Sequence, residues 1–450
     1  MLGDKVKSNQ TMSNQFQFRT KYRKLRAYLF PISHAVPKHL QPNFRHLYAD
    51  IGWYALLVGG ALSFLTVYAA RLGASTTQIG LINAMPAIVS LFISLPAGPW
   101  LKARPLNKAI LMSAMGQRIF YLFMALLPWL FGESQQIWAL IFFTLVMSIP
   151  GTVISIGFNV VFASGVPMRY RGMVAGRRNA LSAIITVIAT LIFGRILTVL
   201  PFPLGYQVVF AVGFIGAAMS AYHLSRVKAV VDPEDPLPLE ILADTEPLVA
   251  ISGRKLNNLF LRIRDRLQFE TLKGPFGRSL LLLTFFHFVH YLSIPIFPVF
   301  FVDKIHISDQ VISLGNAIFY LMMFVGSTQI NKISGKIGNM RSVGLGIVLL
   351  GIYPTMLSFA KDATLYYAAS FFGGFAWSIV NVTMINYLLE KVPSNKRTEH
   401  FAWFSLAINA AVLLGSTLGP IFGDILGITL ALFIFGILRI IAGLAVFKWG

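Results

Sequence analysis

The sequence contains no cysteine, which excludes disulfides, thiolate nucleophiles and cysteine-ligated metals and leaves the redox compartment open. Acidic residues are scarce: 17 Asp and Glu stand against 38 Lys and Arg, and only 12% of the chain is charged, about half the roughly 25% of a soluble domain. No G-x-x-x-x-G-K-S/T, H-E-x-x-H or G-x-S-x-G string occurs, so nothing points to ATP hydrolysis, metallopeptidase or serine-hydrolase chemistry. No enzyme activity, cofactor or metal is therefore expected. The first 46 residues are polar and basic, without a short apolar core and small-residue cleavage site, so no cleavable leader is expected and the first apolar span should direct insertion.

Apolar sequence is what the chain has in abundance: 56% of its 450 residues are hydrophobic and the mean hydropathy is +0.68. Stretches long enough to cross a hydrocarbon core of about 30 Å recur at 47–71, 77–99, 108–131, 137–165, 179–199, 206–225, 279–302, 310–331, 342–360, 365–390, 401–423 and 426–447. Lipid offers no partner to a backbone amide, so each must be a helix. The expected fold is an all-α membrane protein of twelve transmembrane helices.

The formal charge of +21 marks topology rather than nucleic-acid binding. Lys102, Arg104, Lys108, Arg169, Arg171, Arg177, Arg178, Lys332, Lys336, Arg341, Lys391, Lys396 and Arg397 all fall in alternate short loops. By the positive-inside bias those loops and both termini are cytoplasmic, and the excess charge favours anionic lipid. The domains expected are a basic segment 1–46, a six-helix bundle 47–225, a cytoplasmic loop 226–278 and a second bundle 279–450. Within the loop, 232–240 reads as an extended linker and 256–270 as a surface helix. Residues 21–45 should also lie on the membrane surface, and 1–20 read as disordered. An inner (plasma) membrane location and a monomeric state are expected.

The bundles repeat one another. Val166-Pro-Met-Arg-Tyr-Arg171 corresponds to Val392-Pro-Ser-Asn-Lys-Arg397, Ile192-Phe-Gly-Arg-Ile-Leu197 to Ile421-Phe-Gly-Asp-Ile-Leu426, and Asn83-Ala84 to Asn316-Ala317. Six plus six duplicated spans around a long central loop resemble the major facilitator superfamily. The superfamily's signature between its second and third spans is matched at Gly98, while Lys102 and Pro105 stand where an Asp and a Gly are usual. In the second half Lys336 and Gly338 fit, and Gly335 replaces the Asp. Gly415-x-x-x-Gly419-Pro420-x-x-Gly423 is similar to an antiporter-type motif of the superfamily, and also to ordinary packing glycines beside a proline kink.

In the resembling family spans 1, 4, 7 and 10 line a central cavity. Three of these carry polar stripes at helical spacing: Ser148, Thr152, Ser155 and Asn159; His287, His290 and Tyr291; Gly374, Trp377 and Asn381. These are the expected substrate or cavity residues, with helix packing as the alternative. Imidazole titrates near neutrality, so His287 and His290 are coupling candidates unless both are neutral and bonded to neighbouring helices. Asp50 and Arg118 form a second candidate pair, for coupling or packing. Arg439, without an obvious partner, is expected to snorkel. The resemblance sets span 5 against span 8 and span 11 against span 2, so Arg195–Asp309 and Asp424–Arg71 are expected as an outer gate, with ordinary interfacial charges as the alternative.

The function expected is a gradient-driven secondary transporter moving a small organic solute by alternating access, with a proton as a possible coupling ion. No carboxylate lies near mid-membrane, which disfavours cations and leaves neutral, amphipathic or anionic solutes. The alternatives are a non-transporting sensor or scaffold of the same architecture, and a lipid flippase.

Overall fold

A computed structural model describes residues 36–230, 272–393 and 397–450, and every span expected from hydropathy is a helix in it. In chain order these are α1 (Gln41–Arg71), α2 (Thr76–Lys102), α3 (Leu106–Leu130), α4 (Glu133–Gly165), α5 (Met168–Val199), α6 (Leu204–Ser225), α7 (Pro275–Lys304), α8 (Asp309–Ile337), α9 (Asn339–Ser358), α10 (Ala363–Lys391), α11 (Arg397–Leu426) and α12 (Ile428–Trp449). The chain is an integral membrane protein. The expected segments 1–20, 232–240 and 256–270, and all but the end of 21–45, lie outside the described residues.

Helices overrun the apolar stretches at their polar ends. The fifth begins at Met168 rather than 179, because Arg169–Arg178 continues the helical turn after the apolar residues stop. Connections are tight: Gly338 and Gly427 each turn the chain at φ +81°, a conformation that a Cβ disfavours. Two spans are irregular. In α1 a π turn occupies Val58–Leu62, where Gly59 and Gly60 lie against Thr186, Ala189 and Phe193 of α5. α7 breaks at Ile294–Pro295 and ends in a π turn at Phe300–Lys304; proline removes one amide from the ladder there.

Within the first half α1 packs on α5 and α6, and α4 on α2 and α3; within the second, α7 packs on α11 and α12, and α10 on α8 and α9. Across the halves α5 meets α8 and α2 meets α11. We call the end at which α1 begins and α12 stops the proximal end, and the opposite one the distal end. The hydrophobic core is one body distally, where Phe64, Tyr68, Phe193 and Phe210 share a cluster with Ile296, Phe300, Ile312 and Phe435 of the other half. Proximally it divides, into clusters around Leu47, Ile110 and Val161 and around Ala97, Leu101 and Ala109 in the first half, and another around Leu283, Ile347 and Val380 in the second.

Candidate functional site: the cleft between the halves

Small residues bring the halves together at the distal end. On α5, Gly194 faces α8 so closely that a Cβ would overlap Ser313, whose hydroxyl donates to the Thr190 carbonyl at 2.7 Å. On α2, Gly80 faces the Ser416 carbonyl and Pro420 of α11 in the same way. Nearer mid-membrane the Ser63 and Tyr320 hydroxyls meet across the halves at 3.3 Å.

Polar contacts complete this closure, in a pairing that differs from the expected one. Arg71 is the partner of Asp309: its Nε and Nη2 reach Oδ1 at 3.1 and 3.0 Å, and Nη2 also donates to the Ile307 carbonyl at 2.6 Å. Asp424 accepts from the Thr76 hydroxyl at 2.9 Å. Arg195 is exposed and, among the described residues, has no ion-pair partner. The reason is rotational. Gly194 is the residue that meets α8, and the next position is turned by about 100°, away from Asp309. Arg71, at the end of α1, takes the place assigned to Arg195.

Toward the proximal end the same faces part. The stripe of α5 that meets α8 at Gly194 and Thr190 continues at helical spacing through Asn179, Gly176 and Gly172, all exposed, with nothing within 4 Å of a Cβ at either glycine. On α4, Ser148 and Thr152 are buried, the latter beside Ser90 of α2 at 3.3 Å, while Ser155 and Asn159 are exposed. On α10, Asn381 is exposed and Trp377 half-buried. Gly374 instead packs against the Phe319 backbone of α8, which corrects its expected place in a cavity wall. Gly415 and Gly419 bring α11 against the α7 backbone at Phe288 and Leu292, the packing reading of that motif.

His287 and His290 are buried at 6% and 8% exposure rather than standing open to a cavity. The His287 Nδ1–H donates to the Leu283 carbonyl at 2.8 Å. The His290 ring stacks on Trp377, centroids 5.2 Å apart and planes 13° apart, and contacts the Tyr291 ring. Behind it lies Arg439, 1% exposed, which corrects the expectation that it snorkels. Its guanidinium donates to the carbonyls of His290 at 3.0 Å and Leu350 at 3.3 Å and to the Ser293 hydroxyl. It thus supplies a donor to the His290 carbonyl just before the break in α7, where the helix supplies fewer, and ties α7 to α9 through Leu350.

The first half holds a second buried charge group, again with a different pairing. Asp50 binds Arg178 of α5 at 2.9 Å; Arg118 reaches it only through Ser220, which donates to Asp50 at 2.6 Å and accepts from Arg118 at 3.0 Å. Arg178 also donates to the Leu47 carbonyl and lies over the Phe158 ring. In sequence Arg178 belongs to a basic string that reads as loop, and only the extension of α5 to Met168 brings it to α1. Of the loop residues, Arg171 donates to the Val166 and Ala163 carbonyls at 3.1 and 2.7 Å, capping α4. Lys102 closes α2, Gly98 lies one turn earlier, exposed Lys336 and Gly338 end α8, and Arg397 starts α11. Asn179, the Ser63–Tyr320 contact and Asn409, seven residues before Ser416 on the stripe of α11 that meets Gly80, were not expected between the halves; their only sequence signal is a polar group inside an apolar span.

The family model of the Major Facilitator Superfamily matches residues 279–450. No curated protein matches the sequence. Among solved structures, a bacterial homologue of the iron transporter ferroportin in an inward-facing state superposes with TM-score 0.66 at 11% identity, covering 90% of this chain and 98% of that one. A POT family transporter in complex with a thioalcohol-conjugated peptide gives 0.64 at 13% identity, covering 89% and 94%. The nucleoside transporter NupG gives 0.62 at 15% identity, covering 91% and 100%. The second half is thus similar in sequence to the Major Facilitator Superfamily, and about nine-tenths of the chain shares the fold of these solved structures.

Proposed function

We propose that the protein is a secondary transporter that moves a small organic solute by rocking its two halves about a mid-membrane site. The observation that carries this reading is the core that is continuous distally and divided proximally: one end is sealed while the other admits solvent to Ser155, Asn159 and Asn381. The positive-inside bias makes the proximal end cytoplasmic, so this is an inward-open state. The transporter neighbours of the same fold are consistent with it. Among the described residues Asp50 is the buried carboxylate within the spans, held by Arg178 and by Ser220, which Arg118 engages in turn.

The test uses the absence of native cysteine. A single Asn381→Cys variant in native membranes should react with small impermeant thiosulfonates from the cytoplasmic face and, more slowly, from the outer face. Adding Thr76→Cys and Asp424→Cys, joined by a short bifunctional reagent before labelling, should abolish only the outer-face reaction. Reaction from one face alone, whatever the conditions, would indicate a static scaffold and overturn the reading.

A further inference from the structure

The cleft has a graded lining. Asn381 lies ten residues before the end of α10 at Lys391, Asn179 eleven into α5 from Met168, and Asn409 twelve into α11 from Arg397. At about 1.5 Å per residue the three carboxamides stand at one level, about 15–18 Å inside the proximal ends of their helices. Asn159, six residues before the end of α4 at Gly165, lies about 9 Å in on the same scale. Trp377, fourteen residues before Lys391, is deeper, at about 21 Å, and Tyr320, seventeen before Ile337, deeper still at about 25 Å. From the mouth inward the solute therefore meets amides, then an aromatic face, then the Ser63–Tyr320 contact.

Each amide has capacity to spare. Asn381 and Asn179 are exposed and no hydrogen bond to another described residue engages their carboxamides. Asn409 donates to Ser405 of its own helix at 2.8 Å and Asn159 weakly to Ser155 at 3.5 Å, leaving both oxygens open. An asparagine within a membrane span is expensive against lipid, so its place facing the cleft is the economical one. The charges at this level are buried within the bundles rather than open to the cleft: Asp50, Arg118, Arg178 and Arg439 are each no more than 6% exposed, and both terminal nitrogens of Arg177 are buried. Asp50 is spent on Arg178 and Ser220, Arg118 turns to Ser220 and Tyr54, and the exposed cations Lys332 and Lys336 lie at the mouth. In a site of low dielectric an ion without a counter-charge is penalised. A solute with both donors and acceptors on its edge suits carboxamides, each of which offers both. Trp377, its ring fixed by His290 stacked behind it, offers a π face.

Building on the transporter reading, we infer that Asn159, Asn179, Asn381 and Asn409 beneath Trp377 form the recognition site for an uncharged planar solute whose edge carries amide-like donors and acceptors. Size and charge can be separated with matched probes: nicotinamide against nicotinate, and uracil against orotate, titrated calorimetrically into the purified protein in nanodiscs. At least one uncharged member should bind, and its carboxylate partner at least about tenfold more weakly, the lower end of the discrimination expected when one buried polar group goes unpaired. Asn381→Leu and Asn409→Leu should each weaken the uncharged probe by a similar factor, with melting temperature unchanged. Asn83→Leu, in the distal part of α2, should not. No binding by either uncharged probe, tighter binding of the carboxylates, or indifference to both asparagine variants would overturn the inference. Binding as expected without flux into proteoliposomes would instead sink the transporter reading and leave the site intact.

Discussion

The Arg71–Asp309 pair should set how often the distal end opens. The two side chains are 24% and 13% exposed, between the surface and buried limits. A fully exposed pair contributes about 0–1 kcal/mol, and a hydrogen bond to a charged group about 1.5–3 kcal/mol. Allowing for partial solvent screening, Asp309→Ala should cost the closed state about 1–2 kcal/mol, a factor of about 5–30 in the closed-to-open ratio. Asp309→Asn should cost less, because its oxygen still accepts from Arg71. The charge swap Arg71→Asp with Asp309→Arg should recover only part of the loss, since the Ile307 carbonyl loses its 2.6 Å donor. Spin labels at Ser134→Cys and Lys361→Cys, exposed positions at the distal ends of the two halves, report the separation by pulsed dipolar spectroscopy. The long-distance population should grow in Asp309→Ala, and rising salt should narrow the difference between it and the parent. Identical distance distributions in Asp309→Ala and the parent would refute the argument, as would a swap no better than Arg71→Asp alone.

Two further outcomes follow from packing. Gly80→Leu drives a side chain into the Ser416 carbonyl and Pro420, so the same label pair should lose its short distances while the protein still folds; an unchanged distribution would show that α2 and α11 do not form the seal. Arg178→Met leaves Asp50 buried with only Ser220 and should destabilise by about 3–5 kcal/mol, whereas Asp50→Leu with Arg178→Met should be milder than either single change, read as melting temperature in detergent; a double variant worse than both singles would refute it.

Much of this was legible in the sequence because lipid leaves so few options. Length and hydropathy alone locate α1 to α12, and the repeated IFGRIL and IFGDIL strings locate the symmetry. Pairings were less legible, because they depend on rotation about each helix axis rather than on depth. Arg195 and Asp309 were placed at the right end, yet one residue of rotation turns Gly194 to the interface and Arg195 out. Asp50 was read against Arg118 because both sit in apolar sequence; its stronger partner, Arg178, hides in a dibasic string that only the helical continuation of α5 carries inward. His290 has the pattern of a cavity residue, but Trp377 lies in front of it and Arg439 behind. No one-dimensional pattern distinguishes a side chain lining a cleft from one a single layer deeper.

Arg439 has a consequence for how the chain is built. It sits midway along α12, the most hydropathic of the spans at 2.5, yet a central arginine on an isolated inserting helix costs about 2.5–3.5 kcal/mol. Its relief comes from carbonyls at His290 and Leu350 and from Ser293, all on helices synthesised earlier. The last span should therefore leave the insertion machinery for the protein interior rather than for lipid, docking on an already assembled α7 and α9. Until it arrives the broken turn of α7 lacks these donors, so the second bundle matures only with the final helix.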